Sequence, residues 1–132
     1  LKIICKEDID QRVKRHHNLA KSFRAGIASL NLKILPKTNT IEASTLSAVY
    51  YPEGINGTSL SATMVESNVI IAGGLLPEIK PSYFRIGHMG SVSSNDLIAV
   101  LSALERALIE LGHPIESGKS LQAFQNGLLK IN

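Results

Sequence analysis

The stretch Tyr83–Gly90 constrains the fold more than any other part of this chain. Apolar and polar side chains alternate at its start, and two glycines three residues apart close it. Because successive side chains of a strand point to opposite faces, Phe84 and Ile86 are predicted to face a core. Tyr83 and Arg85 then face the other way. The sequence therefore predicts a short strand with one buried side and a glycine-bounded loop behind it.

Arg85 is the candidate functional residue of this strand, because a stiff element holds it outward. A guanidinium presents a planar fork of donors that matches a carboxylate or phosphate through two parallel hydrogen bonds. Most arginines are surface residues, so pairing with a nearby carboxylate or plain solvation is the competing interpretation. From the alternation alone, this competing interpretation is the favoured one.

A long amphipathic helix is predicted near the start of the chain. Spacings of three and four residues place one stripe on it, formed by Ile9, Val13, His16, Ala20, Phe23, Ile27 and Leu30. The basic residues of the segment fall mostly off this stripe. They predict a solvated face, with a nucleic-acid surface as the alternative, although no aromatic residues are interleaved for base stacking.

Further strands and helices follow in an alternating order. Strands are predicted at Leu32–Leu35, Thr45–Tyr51 and Val69–Ala72, the last as a short buried strand. Helices are predicted after the capping candidate Asn56, after the run Ser91–Asp96, and across Leu121, Phe124 and Leu128. This order predicts an α+β fold, with a small, mostly antiparallel sheet and helices packed on one face.

Length and composition set the broad class of the protein. The chain has 132 residues, which predicts a single domain, and no apolar run is long enough to span a bilayer. A net charge of +3 is mild for a nucleic-acid binder. The single Cys5 excludes an internal disulfide framework and fits an intracellular, reducing compartment, with cytosol, peroxisome and mitochondrion left open. Because the first residue is Leu1 and not Met, we expect a piece of something longer.

Other constellations give weaker signals. Gly118–Ser120 resembles a phosphate loop, but the spacing to the preceding glycine is wrong and the segment follows a helix. Gly73 and Gly74 could let backbone amides approach an anion, although a plain turn is the usual role of paired glycines. His88 and His113 have no partner at metal-ligand spacing.

Two blocks of sequence carry a family resemblance. Val69–Leu75, followed by Phe84–Gly90 and a helix, resembles the C-terminal domain of class V (fold type I) aminotransferases of the alanine–glyoxylate / serine–pyruvate type. Arg15–His16 and Thr45–Pro52 also stand where that pattern has similar residues. The resemblance covers residues from about 8 to about 112, and the second block is its most specific part.

The resemblance implies a fold, a cofactor and a role for Arg85. Such enzymes are homodimers that use pyridoxal 5'-phosphate, joined to a lysine of a large N-terminal domain, to move an amino group from alanine or serine to glyoxylate or pyruvate. Their small domain closes against the large one and supplies the arginine that binds the α-carboxylate of the small amino or keto acid. That arginine matches Arg85, and Gly73 and Gly74 would border the active-site mouth.

The resemblance also implies what this chain lacks. Nothing in it matches the cofactor lysine, or the aspartate that holds the pyridine nitrogen, so we expect a C-terminal fragment that contains no catalytic residue and is inactive alone. Residues 1–7 would end an interdomain helix, and residues 113–132 would form a C-terminal helical tail. No nucleic-acid or membrane partner is implied.

Two alternatives to the aminotransferase interpretation remain at this point. Cysteine desulfurases share the fold class but need a catalytic cysteine on a mobile loop, whereas Cys5 precedes the first helix. A free-standing α+β module that binds RNA or protein is supported only by the basic face of that helix.

Overall fold

The computed structural model describes residues 6–38 and 41–130, which form four α-helices and a small sheet. In chain order these elements are α1 (Ile9–Ser29), β1 (Leu46–Tyr50), α2 (Gly57–Glu66), β2 (Ala72–Gly73), β3 (Tyr83–Gly87), α3 (Ser94–Glu110) and α4 (Lys119–Leu129). A short 3-10 turn, Lys80–Ser82, leads directly into β3. The strand that the alternation predicted from Tyr83 is therefore present.

The three strands form one antiparallel sheet in the order β1–β3–β2, with β3 in the centre. Side chains on one face of the sheet are buried against the helices, and they include Ser47, Val49, Phe84 and Ile86. The side chains of Ala48 and Arg85 lie on the other face and are only half-buried. The predicted α+β fold, with helices on one face of a mostly antiparallel sheet, is confirmed.

The core lies between the sheet and the four helices, and each helix contributes to it. Its fully buried side chains include Phe23 and Ile27 of α1, Leu60 and Met64 of α2, Leu101, Leu104 and Leu108 of α3, and Phe124 of α4. The leucines of α3 thus form one stripe that enters this core. Burial of aliphatic and aromatic surface is the main contribution to folding in a domain of this size.

Helix α4 packs closely along α1, which fixes the end of the described chain against its beginning. A Cβ atom added at Gly127 would stand 2.9 Å from the hydroxyl oxygen of Ser22. Real Cβ atoms do not approach other atoms so closely, so a glycine lets the two helices reach this separation. The final helix predicted from Leu121, Phe124 and Leu128 is therefore confirmed as a packed element.

Both helices that follow a predicted capping residue have the expected cap. The side chain of Asn56 accepts hydrogen bonds from the backbone N–H groups of Thr58 and Ser59, at 2.8 and 3.3 Å. Ser93 and Asp96 form a reciprocal capping box at the start of α3. Side-chain acceptors satisfy N–H groups that have no partner within the first turn of a helix, so the sequence fixes both starting points.

Two of the predicted strands are shorter than the sequence indicates. Within Leu32–Leu35 only Ile34 forms a bridge, to Val49 of β1. The segment Val69–Ala72 pairs with β3 only from Ala72, and Ile70 is 86% exposed, so the prediction of a buried strand there was wrong. The N–H of Val69 donates to the carbonyl of Met64 in α2, so the segment begins as an extension of the helix end.

The stripe predicted along α1 is buried only from His16 onward. Ile9 and Val13 are largely exposed, because the rest of the described domain does not cover the first two turns of the helix. These two side chains of the stripe therefore lie outside the core of the described domain. Of residues 1–7, expected to end an interdomain helix, the first five lie outside the described residues. Across the described residues, every helix is too short or too polar to cross a membrane.

Candidate functional site

Arg85 stands in the middle of the sheet face that the helices leave open. In the strand register it lies between Ala48 of β1 and Ala72 of β2. Cross-strand neighbours in an antiparallel sheet have Cβ atoms about 5 Å apart, so a large neighbour would cover the guanidinium. Both neighbours are alanines, whose side chains are too small to cover the guanidinium of Arg85.

The side chain of Arg85 is oriented by one backbone carbonyl. Its Nε donates to the carbonyl oxygen of Gly73 at 2.7 Å. Within residues 6–38 and 41–130, its two terminal nitrogens have no hydrogen-bond acceptor and the side chain forms no salt bridge. This geometry fixes the direction of the planar group and leaves the terminal N–H donors available to an oxyanion.

Gly73 and Gly74, the predicted border of the site, have different environments. Gly73 ends β2 and lines an open cleft of about 410 Å³ beside the start of α2. Gly74 is buried, and a Cβ atom there would stand 2.4 Å from the carbonyl oxygen of Lys80 and 2.7 Å from the ring of Tyr83. Only glycine fits this close approach, which folds residues 74–82 tightly back towards β3.

The hydroxyl of Tyr83 holds the loop that follows the two glycines. It accepts hydrogen bonds from the N–H groups of Leu75 at 2.8 Å and Leu76 at 3.0 Å. The N–H groups of Leu76 and Leu75 lower the pKa of the Tyr83 hydroxyl, and the nearby charge of Arg85 lowers it further. These two amides are therefore already engaged within the domain. Alternation along the strand predicted that Tyr83 and Arg85 share one face of the sheet. It did not predict the contact of Tyr83 with the loop.

His88, within the most specific block of the resemblance, is a buried structural residue. Its Nδ1 faces the carbonyl oxygen of Ser44 at 3.2 Å, and a carbonyl only accepts, so Nδ1 carries the proton. Its Nε2 then accepts from the hydroxyl of Ser47 at 2.9 Å. Burial, followed by the charge of Arg24, lowers the pKa of His88 to about 4. The ring is therefore neutral near pH 7 and links the end of β3 to the start of β1.

The part of the chain that the structure describes contains no candidate metal site. His88 is enclosed with both ring nitrogens engaged, and His113 faces the carbonyl oxygen of Leu30 at 3.4 Å. Among the described residues, no three His, Cys, Asp or Glu side chains are grouped so that they could hold a metal ion.

Arg15 of α1 holds the loop after β3, a role that the helical pattern did not indicate. Its terminal nitrogens donate to the carbonyl oxygens of Gly90 at 2.9 Å and Val92 at 3.1 Å. Its Nε donates to a carboxylate oxygen of Glu7 at 2.7 Å. The first helix is thereby tied to the loop that continues the Arg85 strand. Local periodicity cannot predict a contact between residues that are 75 positions apart in the chain.

The basic face of α1 is partly neutralised inside the domain. Arg12 and Arg15 form ion pairs with Glu7, and Arg24 forms one with Glu42. Arginines engaged in this way contribute less to an electropositive surface than solvated ones. The basic face was the only observation that supported a nucleic-acid surface, and these ion pairs weaken that support.

The fold is that of a domain found in aminotransferases. A crystal structure of ureidoglycine–glyoxylate aminotransferase from Bacillus subtilis matches the chain with a TM-score of 0.88 and 26% sequence identity. The match covers 96% of this chain and 33% of that one. No family model matches the chain.

The sequence has relatives of the same kind. An uncharacterized aminotransferase of Methanocaldococcus jannaschii is 36% identical over 120 residues, which are 89% of this chain and 31% of the relative. A serine–glyoxylate aminotransferase of Arabidopsis thaliana is 27% identical over 123 residues, 93% of this chain and 31% of the relative. The chain therefore spans about a third of the length of these proteins.

These homologues and the structural neighbour are class V aminotransferases. The resemblance found in the blocks at Val69–Leu75 and Phe84–Gly90 is therefore confirmed: the chain is homologous to a domain of that family.

Proposed function

We propose that this chain is the small, C-terminal domain of an aminotransferase that depends on pyridoxal 5'-phosphate. The observation that carries the proposal is the guanidinium of Arg85, fixed at the centre of an open sheet face with its terminal donors free of described partners. The intact enzyme would move an amino group from alanine or serine to glyoxylate or pyruvate. The name of the Arabidopsis relative, a serine–glyoxylate aminotransferase, supports this substrate class.

In this proposal Arg85 binds the α-carboxylate that the amino donor and the keto acceptor share. A planar guanidinium and a planar carboxylate form two parallel charge-assisted hydrogen bonds, which fix both position and orientation. Ala48 and Ala72 leave space for the ligand on either side, and Gly73 borders the mouth of the site. Orienting the substrate is the contribution of this domain to catalysis.

The cofactor would be held mainly by polypeptide outside this chain. Every lysine among the described residues is exposed to solvent, so none has the enclosed position that a cofactor-bearing lysine requires. This exposure supports the proposal that the cofactor-bearing lysine lies in the large domain. When bound, pyridoxal phosphate supplies the electron sink of the reaction, and the protein binds and orients its partners. We further propose a large cofactor-binding domain and a homodimer.

The first prediction tests Arg85 in the full-length enzyme. We expect Arg85→Ala to raise the Michaelis constants for alanine, serine and glyoxylate alike, because all three ligands share the carboxylate. A lost hydrogen bond to a charged group costs about 1.5–3 kcal/mol, which corresponds to roughly 10- to 100-fold. Arg85→Lys keeps the charge but lacks the planar fork, so its effect should be intermediate. Steady-state kinetics, with the absorbance of the bound cofactor recorded alongside, measures both.

Arg106→Ala is the matched control for the loss of an arginine. Arg106 is exposed on α3, where it donates to the hydroxyls of Ser102 and Ser67, on the side of the sheet away from Arg85. Its removal should leave the Michaelis constants unchanged. Unaltered constants for every substrate in Arg85→Ala would remove Arg85 from the site. Loss of cofactor without a selective effect on substrates would make Arg85 a structural residue.

A further inference from the structure

We infer that Tyr83 is a positioning residue for Arg85, and that its hydroxyl sets how strongly the enzyme selects substrates that carry a carboxylate. The inference rests on the proposed function, since it assumes that Arg85 binds the carboxylate. It concerns how the guanidinium is kept in one orientation. Tyr83 acts through the loop after β2, which carries the carbonyl of Gly73.

The orientation of Arg85 depends on a single described contact. An arginine has several rotatable bonds, and a side chain of this length loses much conformational freedom when it is held in one geometry. The bond from Nε to the carbonyl of Gly73 is the described contact that restricts these rotations. How precisely the guanidinium is oriented therefore depends on how firmly the carbonyl of Gly73 is held.

The strand that carries this carbonyl is too short to hold it alone. β2 has two residues, and in the register Ala72 pairs with Arg85 and Gly73 with Phe84. It lies at the edge of the sheet, with β3 as its one neighbour among the described strands. Two-residue edge strands fray easily, because few hydrogen bonds oppose their opening.

Tyr83 supplies the missing restraint immediately after Gly74. Its hydroxyl oxygen receives two N–H groups, from Leu75 and Leu76, while its ring packs against Gly74. The leucine side chains are 65% and 49% exposed, so apolar burial holds this part of the loop only weakly. Tyr83 itself is only 2% exposed and is therefore a fixed support. Phenylalanine at this position would keep the ring contact but leave both amides without their acceptor.

A carboxylate-selectivity measurement separates positioning from general structural damage. Alanine and ethylamine differ by the carboxylate. For each amine, the single-turnover rate constant is divided by the substrate concentration. The ratio of the two values, alanine over ethylamine, reports how much the enzyme gains from binding the carboxylate. Single turnovers of the bound cofactor make slow reactions with ethylamine measurable. Misplacing Arg85 lowers this ratio, whereas a loosened protein loses activity towards both amines together.

The experiment uses the full-length enzyme and four variants. These are Tyr83→Phe, Arg85→Ala, the double variant, and Tyr50→Phe as a matched control. Tyr50 lies opposite Tyr83 in the register, and its hydroxyl has no hydrogen-bond partner in the described part of the chain. We expect Tyr83→Phe to lower the ratio about tenfold and Tyr50→Phe to leave it unchanged.

The double variant connects the effect to the arginine. If Tyr83 acts through Arg85, adding Tyr83→Phe to Arg85→Ala should change the ratio no further. Amide hydrogen exchange at Leu75 and Leu76 should be faster in Tyr83→Phe, which shows that the loop has been released even if activity is low.

The possible negative results distinguish the role of Tyr83 from that of Arg85. A Tyr83→Phe ratio equal to that of the unaltered enzyme, with Arg85→Ala still lowering it, would overturn the role of Tyr83 alone. An equal loss of activity towards alanine and ethylamine in Tyr83→Phe would make the residue merely structural. If Arg85→Ala itself left the ratio unchanged, the proposed function would fail, and this inference with it.

Discussion

Among the described residues, Arg85 binds a backbone carbonyl and no carboxylate, and this difference determines how much of the guanidinium charge remains available to a ligand. A carboxylate partner would satisfy the fork of the guanidinium and offset its charge. The carbonyl of Gly73 takes only the Nε proton. The described geometry thus combines a fixed direction with unpaired donors, which is what carboxylate recognition by a preorganised arginine requires.

The sequence predicted the direction of Arg85 but not its partners. Alternation along a strand is a local property, so the opposite orientations of Phe84 and Arg85 could be read directly. The carbonyl of Gly73 lies twelve positions earlier and reaches the guanidinium only through the sheet register and the loop held by Tyr83. The resemblance singled out the glycines, and the structure adds Tyr83 as a contact of Gly74.

A second residue-scale prediction concerns acid sensitivity. The pKa of His88 is about 4 in the folded protein, against an ordinary value of 6.5. Between these two values the unfolded chain binds more protons, so stability is complete above about pH 6.5 and falls as the pH decreases towards 4. The contribution at stake is about 3 kcal/mol. Urea unfolding at pH 7 and pH 4.5 measures the loss.

A variant at the same position tests whether His88 is responsible. His88→Gln should be less stable at pH 7, because the bonds to Ser44 and Ser47 are disturbed, but should lose less stability than the unaltered protein between pH 7 and 4.5. The exposed His17 provides the control, and His17→Gln should keep the full pH dependence. An equal pH dependence in His88→Gln would assign the acid sensitivity to other groups.

At the scale of elements, the helices followed from the sequence more closely than the strands. Helix starts are specified by side chains close in sequence, as the caps at Asn56 and Ser93 show. Strand lengths depend on partners far along the chain. The apolar run Val69–Ala72 has the composition of a strand, yet only its last residue reaches β3. Composition could not reveal that the first residue of the run is bound to the end of α2.

The third prediction concerns α1, whose stripe is longer than the domain needs. Phe23 is fully buried, so Phe23→Ala should cost about 3–5 kcal/mol in denaturant unfolding. Val13 is exposed on the same helix, and Val13→Ala should change the stability of the isolated chain by less than about 0.5 kcal/mol. A change at Phe23 within experimental noise would contradict its place in the core.

The exposed part of the stripe suggests a contact beyond this domain. We propose that Ile9 and Val13 are covered by the large domain or the second subunit of the intact enzyme. Val13→Ala should then destabilise the full-length protein by more than it destabilises the isolated chain. Equal small effects in both proteins would show that this part of α1 is solvated in the enzyme as well.

At the scale of the whole molecule, the chain has a core of its own, and all of its described lysines lie outside that core. Side chains from four helices and both long strands share one buried cluster, so we expect the isolated 132-residue chain to fold. Because its lysines are exposed wherever the structure describes them, we also expect it neither to retain pyridoxal phosphate nor to catalyse transamination. Turnover of alanine and glyoxylate by the purified chain would contradict this expectation.

We propose that the intact protein containing this domain is an aminotransferase that depends on pyridoxal phosphate. The most direct measurement is the visible absorbance of the purified full-length protein, recorded before and after alanine is added and again after glyoxylate is added. We expect a bound-cofactor band that changes with alanine and returns with glyoxylate. In Arg85→Ala, both responses should shift to higher ligand concentrations. A full-length protein that binds no pyridoxal phosphate would contradict this proposal. So would an absorbance band that does not change when amino and keto acids are added.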